Sequence, residues 1–107
     1  MIVYGIGSCD TCRKARAALV AAGHDVLFRD IRRAPLSTAE AAEFLAAFGD
    51  ELVNRSSTTW RGLDAADRES GAAALLARHP TLMKRPVIRA GGKLHLGWGP
   101  AVQAALT

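Results

Sequence analysis

This chain lacks most of what would place a protein in a membrane, on a nucleic acid or around a structural metal. Half of its residues are hydrophobic, many of them Ala. No window approaches the ~18 consecutive apolar residues of a membrane span. No basic segment precedes an apolar stretch near Met1, so no secretory signal is expected and the expected location is the cytoplasm. Cationic side chains outnumber anionic ones by 14 to 10, a formal net charge of +4, and almost all of them are Arg. They are dispersed, with no run of five or more. Aromatic residues make up only 6% of the chain, too few to stack many bases, so nucleic-acid binding is not expected. The positive balance suits an anionic substrate instead. His24, His79 and His95 are scattered without ligand spacing, so no metal site is expected. No nucleotide or flavin motif is visible, and no bound cofactor is expected. There is no linker, repeat or low-complexity tract, and 107 residues suit one domain with a modest core.

Cysteine is equally sparse, but its placement is informative. The two cysteines stand together as Cys9-Asp10-Thr11-Cys12. An apolar run, Met1-Ile2-Val3-Tyr4, and a flexible Gly5-Ile6-Gly7-Ser8 precede them; a helical pattern to about Ala22 follows. A disulfide closing so small a loop removes little chain entropy, so stability is a poor reason for the pair. In a cytoplasmic chain such a pair reads as catalytic or redox-sensing. Strand, turn and CxxC at a helix N-terminus is the pattern of a thioredoxin-like redox site. There the first cysteine faces unpaired backbone N–H groups and the positive end of the helix dipole, which favours the nucleophilic thiolate. Arg13, Lys14 and Arg16 add positive charge and Asp10 opposes it.

The rest of the chain supplies the elements of such a fold. Residues 1–5 read as a strand and 9–22 as a helix ended by Gly23 at C′. Asp25 to Asp30, with Val26-Leu27-Phe28, reads as a second strand. Pro35 then breaks the chain. Ser37 to Glu40 form a capping box, followed by Ala41, Phe44, Leu45 and Phe48 on one helical face. A polar stretch, Asn54 to Arg61, leads to one helix over Asp64–His79, stopped by Pro80. Pro86–Arg89, Ala90-Gly91-Gly92 and Lys93–Leu96 read as a β-hairpin. Gly99-Pro100 opens a last helix with Val102, Ala105 and Leu106 on its apolar side. Trp98 reads as packing. The order β-α-β, helices, β-β-α is an α/β thioredoxin-like fold with a helical insertion at about residues 35–80. The first strand pair is parallel, with 9–22 as its crossover.

Several segments then resemble one family. Tyr4-Gly5-Ile6, Cys9-Asp10-Thr11, Lys14-Ala15-Arg16, Arg55 to Arg61 (RSSTTWR) and Lys84-Arg85-Pro86-Val87 are similar, in this order, to the ArsC/Spx family. The likeness is strongest to its YffB-like branch of arsenate-reductase-related proteins. The resemblance implies a thioredoxin-like core with a helical insertion. It implies that Cys9 is the nucleophile and that Arg55 and Arg85 bind an anion. It also implies that Pro86 is cis and that Thr58 and Thr59 line a glutathione-binding side. The branch implies glutathione as reductant or co-substrate, with glutaredoxin as a further partner and a disulfide or anionic substrate. Glutaredoxin-linked arsenate reductases carry a third arginine in the last hairpin; Gly97 stands there in this chain. Cys12 is typical of the Spx branch, redox-sensing partners of RNA polymerase, and is absent from many of the others.

Each site residue also has a plain alternative. The cysteines are small residues that cores accommodate readily. Most arginines are solvated surface residues. Thr58, Thr59 and Trp60 suit a polar turn with one anchoring aromatic equally well. Pro86 in trans would simply open an edge strand. Under the redox reading Cys9 attacks a sulfur or arsenic-type electrophile, and Cys12 is the candidate resolving thiol.

Overall fold

The computed structural model describes residues 1–107. Its chain contacts divide into two units, Met1–Ala34 with Arg85–Thr107, and Pro35–Lys84.

The first unit is a four-stranded sheet with helices. Strand β1 (Ile2–Gly5) runs into α1 (Asp10–Ala21) and then β2 (Leu27–Asp30). After the second unit the chain returns as β3 (Val87–Ala90), β4 (Lys93–Leu96) and α6 (Pro100–Leu106). The sheet order is β2-β1-β3-β4. β1 pairs parallel with β2, placing Gly5 beside Asp30, and antiparallel with β3, placing Tyr4 beside Val87. The parallel pair requires the α1 crossover, as its spacing predicts. Alternation along the strands sends Val3, Phe28 and Ile88 to one face. There they pack with Leu19 of α1 and Leu106 of α6, joined by Trp98 and Val102.

α1 ends as the Gly23 signal predicts. Gly23 has φ +92°, its N–H bonds the Val20 carbonyl, and the His24 N–H bonds the Leu19 carbonyl. This is a Schellman closure. The hairpin turns through Gly91 and Gly92, at φ +56° and +80°, the left-handed conformations a two-residue turn demands. The second strand is shorter than its sequence suggests: Asp25 and Val26 lie outside the ladder, which starts at Leu27.

In the second unit α2 (Thr38–Phe48) starts at the Ser37–Glu40 capping box, both reciprocal bonds being present. Of its predicted core face, Phe44 is fully buried, while Ala41, Leu45 and Phe48 are half-buried. A 3-10 turn (Gly49–Leu52) follows, then three short helices, α3 (Thr58–Arg61), α4 (Ala65–Glu69) and α5 (Ala72–Arg78). The single helix expected over 64–79 is therefore two. Asp64 caps α4, and Gly71 at φ +92° interrupts the helical path before α5. The polar stretch likewise contains a helical turn, because Ser57 caps it by accepting the Trp60 N–H. Leu52, Leu75, Leu76, Leu82 and Met83 are buried. An antiparallel bridge pairs Val53 with Met83 near the end of this unit.

No helix is long and apolar enough to cross a membrane.

Candidate active site

The turn between β1 and α1 sets the nucleophile. The Cys9 N–H bonds the Ile6 carbonyl at 3.0 Å, closing a turn, and the Cys9 carbonyl receives the Arg13 N–H at 3.0 Å as the first bond of α1. Cys9 is thus the N-cap of α1, extended at φ −81°, ψ 122° and half-buried. Cys12, three residues on, is completely buried. Both cysteines are free thiols.

Their surroundings push them apart. Burial raises the Cys9 thiol, but four influences together outweigh it and hold it below its ordinary value. These are the Cys12 backbone N–H, the Cys12 thiol, and the hydrogen bond and charge of Arg85. Cys12 moves the other way, to about 11. Burial is the main cause, and the Cys9 sulfur adds to it; the backbone at Ile6 and the charge of Arg85 oppose it. The pair therefore favours ionisation at Cys9 first, with Cys12 keeping its S–H as donor to the Cys9 sulfur.

The positive charge on Cys9 is tertiary in origin. Arg85 lies just ahead of β3, and the Arg85–Pro86 peptide bond is cis. Pro86 is fully buried and its carbonyl accepts the Gly97 N–H at 2.7 Å. Two of the three cations on α1, by contrast, are engaged elsewhere. Arg13 pairs with Asp10 at the surface, and Arg16 lies over the Phe28 ring at 5.3 Å. The charge that lowers Cys9 thus comes from an arginine at the start of the neighbouring strand, not from Arg13 or Arg16.

Two further residues shape the site in ways the sequence did not assign them. Gly5 is buried in β1 at an ordinary backbone conformation; it is glycine because a Cβ there would stand 2.5 Å from the Cys12 Sγ. Asp30, at the end of β2, accepts the Gly7 N–H at 3.0 Å and the Arg32 N–H at 3.0 Å.

Arg55, Thr58 and Thr59 belong to the second unit. The exposed Arg55 guanidinium lies 5.5 Å from the Trp60 ring centre, and that of Arg68 5.4 Å. Arg68 also donates to the Trp60 carbonyl at 3.1 Å. Thr58 opens α3 and is exposed, and the Thr59 hydroxyl shares a 3.0 Å bond with that of Thr81. No three His, Cys, Asp or Glu side chains come together in metal-binding proximity.

Comparison with known proteins gives this geometry relatives. The model of the ArsC family matches residues 4–105. A global transcriptional regulator Spx from Streptococcus pyogenes serotype M6 is 33% identical over 99 residues, covering 85% of this chain and 72% of its own. The structure of the YFFB protein superposes with a TM-score of 0.88 at 32% identity, covering 98% of this chain and 96% of its own. The solution structure of an arsenate reductase (ArsC) related protein from Brucella melitensis gives 0.74 at 36% identity, covering 97% and 91%.

Proposed function

Because this chain belongs to the ArsC family, we propose that it is a thiol–disulfide oxidoreductase that draws its electrons from glutathione. One observation carries the reading: Cys9 caps a helix N-terminus with its thiol held down by Cys12 and Arg85. A thiolate so placed is a nucleophile near neutral pH. It attacks the glutathione sulfur of a mixed disulfide, forming the Cys9–glutathione bond and releasing the substrate thiolate, which takes a proton from water. A second glutathione thiolate attacks that adduct on the glutathione sulfur, restoring the Cys9 thiolate and leaving oxidised glutathione. Glutaredoxin is an alternative donor for this second step. Two electrons pass to the substrate disulfide, and two glutathione moieties leave joined.

In the reduced state Cys12 serves as hydrogen-bond donor to Cys9; its burial and high pKa make it a poor attacking thiol until Cys9 has reacted and the turn opens. Arg55 suits a ligand carboxylate because it is exposed and stacked rather than ion-paired. Thr58, three residues on, is also exposed. Arsenate is not the proposed substrate, since Gly97 stands where the resemblance puts a third arginine.

The test is turnover of a glutathionylated substrate with reduced glutathione, with intact mass recorded after incubation with oxidised glutathione. One adduct on the wild type and complete loss of turnover in Cys9→Ala are expected. Turnover retained by Cys9→Ala ends the proposal.

The likeness to Spx, together with Cys12, supports a second reading as a redox-sensing regulator that binds RNA polymerase. A Cys9–Cys12 disulfide that forms readily, resists glutathione and alters co-purification with polymerase would favour it over the enzyme.

A further inference from the structure

We propose that Asp30 is a positioning residue for the nucleophile: its carboxylate holds the turn that aims the Cys9 sulfur. The proposal rests on the reading of Cys9 as a working thiolate.

The turn itself has little to hold it. Residues 5–8 include two glycines, and Gly7 and Ser8 are exposed. Its internal restraint is the bond from the Cys9 N–H to the Ile6 carbonyl. Asp30 supplies an external one. Parallel pairing sets Asp30 beside Gly5, so its side chain emerges at the carboxyl end of β1, where the turn begins. Oδ2 accepts the Gly7 N–H at 3.0 Å, and Oδ1 accepts the Arg32 N–H at 3.0 Å. The Asp30 carbonyl meanwhile takes the N–H groups of Arg33 and Ala34, at 3.1 and 2.9 Å. One residue therefore joins the cysteine turn to a second turn that is itself closed. The two turns sit at the carboxyl ends of parallel strands, where α/β sheets place their reactive groups.

The consequence falls on Cys9. Its thiolate depends on the Cys12 N–H, the Cys12 S–H and Arg85, all groups with directional reach. Freeing Gly7 lets the turn move and lengthens these contacts, so the thiolate loses stabilisation. The carboxylate's charge acts in the opposite sense, because a nearby anion disfavours a thiolate. Of the charged groups around the turn, Arg85 acts on Cys9, Arg32 on Asp30, and Asp10 is paired with Arg13.

Those opposite signs make the test decisive. In Cys12→Ser, Cys9 is the single thiol, and its alkylation rate by iodoacetamide against pH reports its thiolate. Adding Asp30→Ala is expected to move the midpoint to higher pH and to slow alkylation near pH 6 by about threefold to tenfold. Asp30→Asn keeps one oxygen acceptor and is expected to fall between. A midpoint that stays or moves lower in Asp30→Ala overturns the proposal, whatever happens to the melting temperature. Should Asp30→Ala not fold, the same criterion applies to Asp30→Asn. Failure of the redox reading appears separately, as turnover retained in Cys9→Ala, and leaves the midpoint comparison intact.

Discussion

Cys9 and Cys12 are one helical turn apart, yet their surroundings drive their acidities in opposite directions. The S–H of Cys12 is part of what lowers Cys9, so the two cannot be varied independently. Cys12→Ser retains a hydroxyl donor and is expected to leave the Cys9 midpoint near that of the wild type. Cys12→Ala removes the donor and is expected to raise it, read from alkylation against pH. Cys12 itself stays protonated through neutral pH. Intact mass at pH 8 is expected to show one alkylation on the folded protein and two in denaturant. The sign of its linkage follows from the raised value. The unfolded chain loses the Cys12 proton near the ordinary 9.0 and the folded chain near 11, so Cys12 contributes stability below 9.0 that is lost as pH rises toward 11. Gly5 is the counterpart of this burial. Gly5→Ala would drive a methyl into the Cys12 sulfur against a buried strand, at a cost of about 1–3 kcal/mol by denaturant titration. Combining it with Cys12→Ala should recover part of that loss, because the atom it strikes is gone.

At the scale of elements, the sequence was legible wherever one local signal ruled. The Ser37–Glu40 box, the Gly23 stop, the Gly91-Gly92 turn and the Cys9 helix start all rest on residues within a few positions of one another. Legibility failed where a helical pattern ran across a residue that breaks it. The run from Asp64 to His79 carries leucines at helical spacing, but Gly71 adopts φ +92°, which no local rule demanded. Gly71→Ala tests that account. If the left-handed turn is required, alanine costs about 1 kcal/mol or more and lowers the melting temperature. If the break is merely tolerated, alanine favours a continuous helix and the temperature holds or rises. The candidate site divides along the same line. Cys9 was visible because spacing and helix start coincide. Gly5 as the space for Cys12 comes from α1 folding back on the strand before it, while Arg85 as the cation acting on Cys9 and Asp30 as the clamp are products of strand pairing. Strand pairing joins residues more than twenty positions apart, and no window of sequence holds them together.

At the scale of the whole molecule, charge is the property that reaches beyond the site. The chain carries a net +4, and Arg85 acts on the Cys9 sulfur through both a hydrogen bond and its charge. A field of that sign gathers anions at a distance and repels cations, and salt removes both effects by screening. Raising ionic strength from about 0.01 M to about 0.1 M shortens the screening length from roughly 30 Å to roughly 10 Å, which covers the approach of a small substrate to this domain. The bimolecular rate of Cys9 with an anionic disulfide such as dithiobis(nitrobenzoate) is therefore expected to fall over that range, and the rate with cationic cystamine to rise. Intrinsic reactivity of the sulfur would move both rates together, so the divergence isolates the field from the chemistry. Arg85→Gln separates the near charge from the far ones. The variant is expected to raise the Cys9 midpoint and slow both disulfides near neutral pH. A divergence with salt that survives in it belongs to the remaining cations of the chain, and one that disappears assigns the selection of anionic substrates to Arg85.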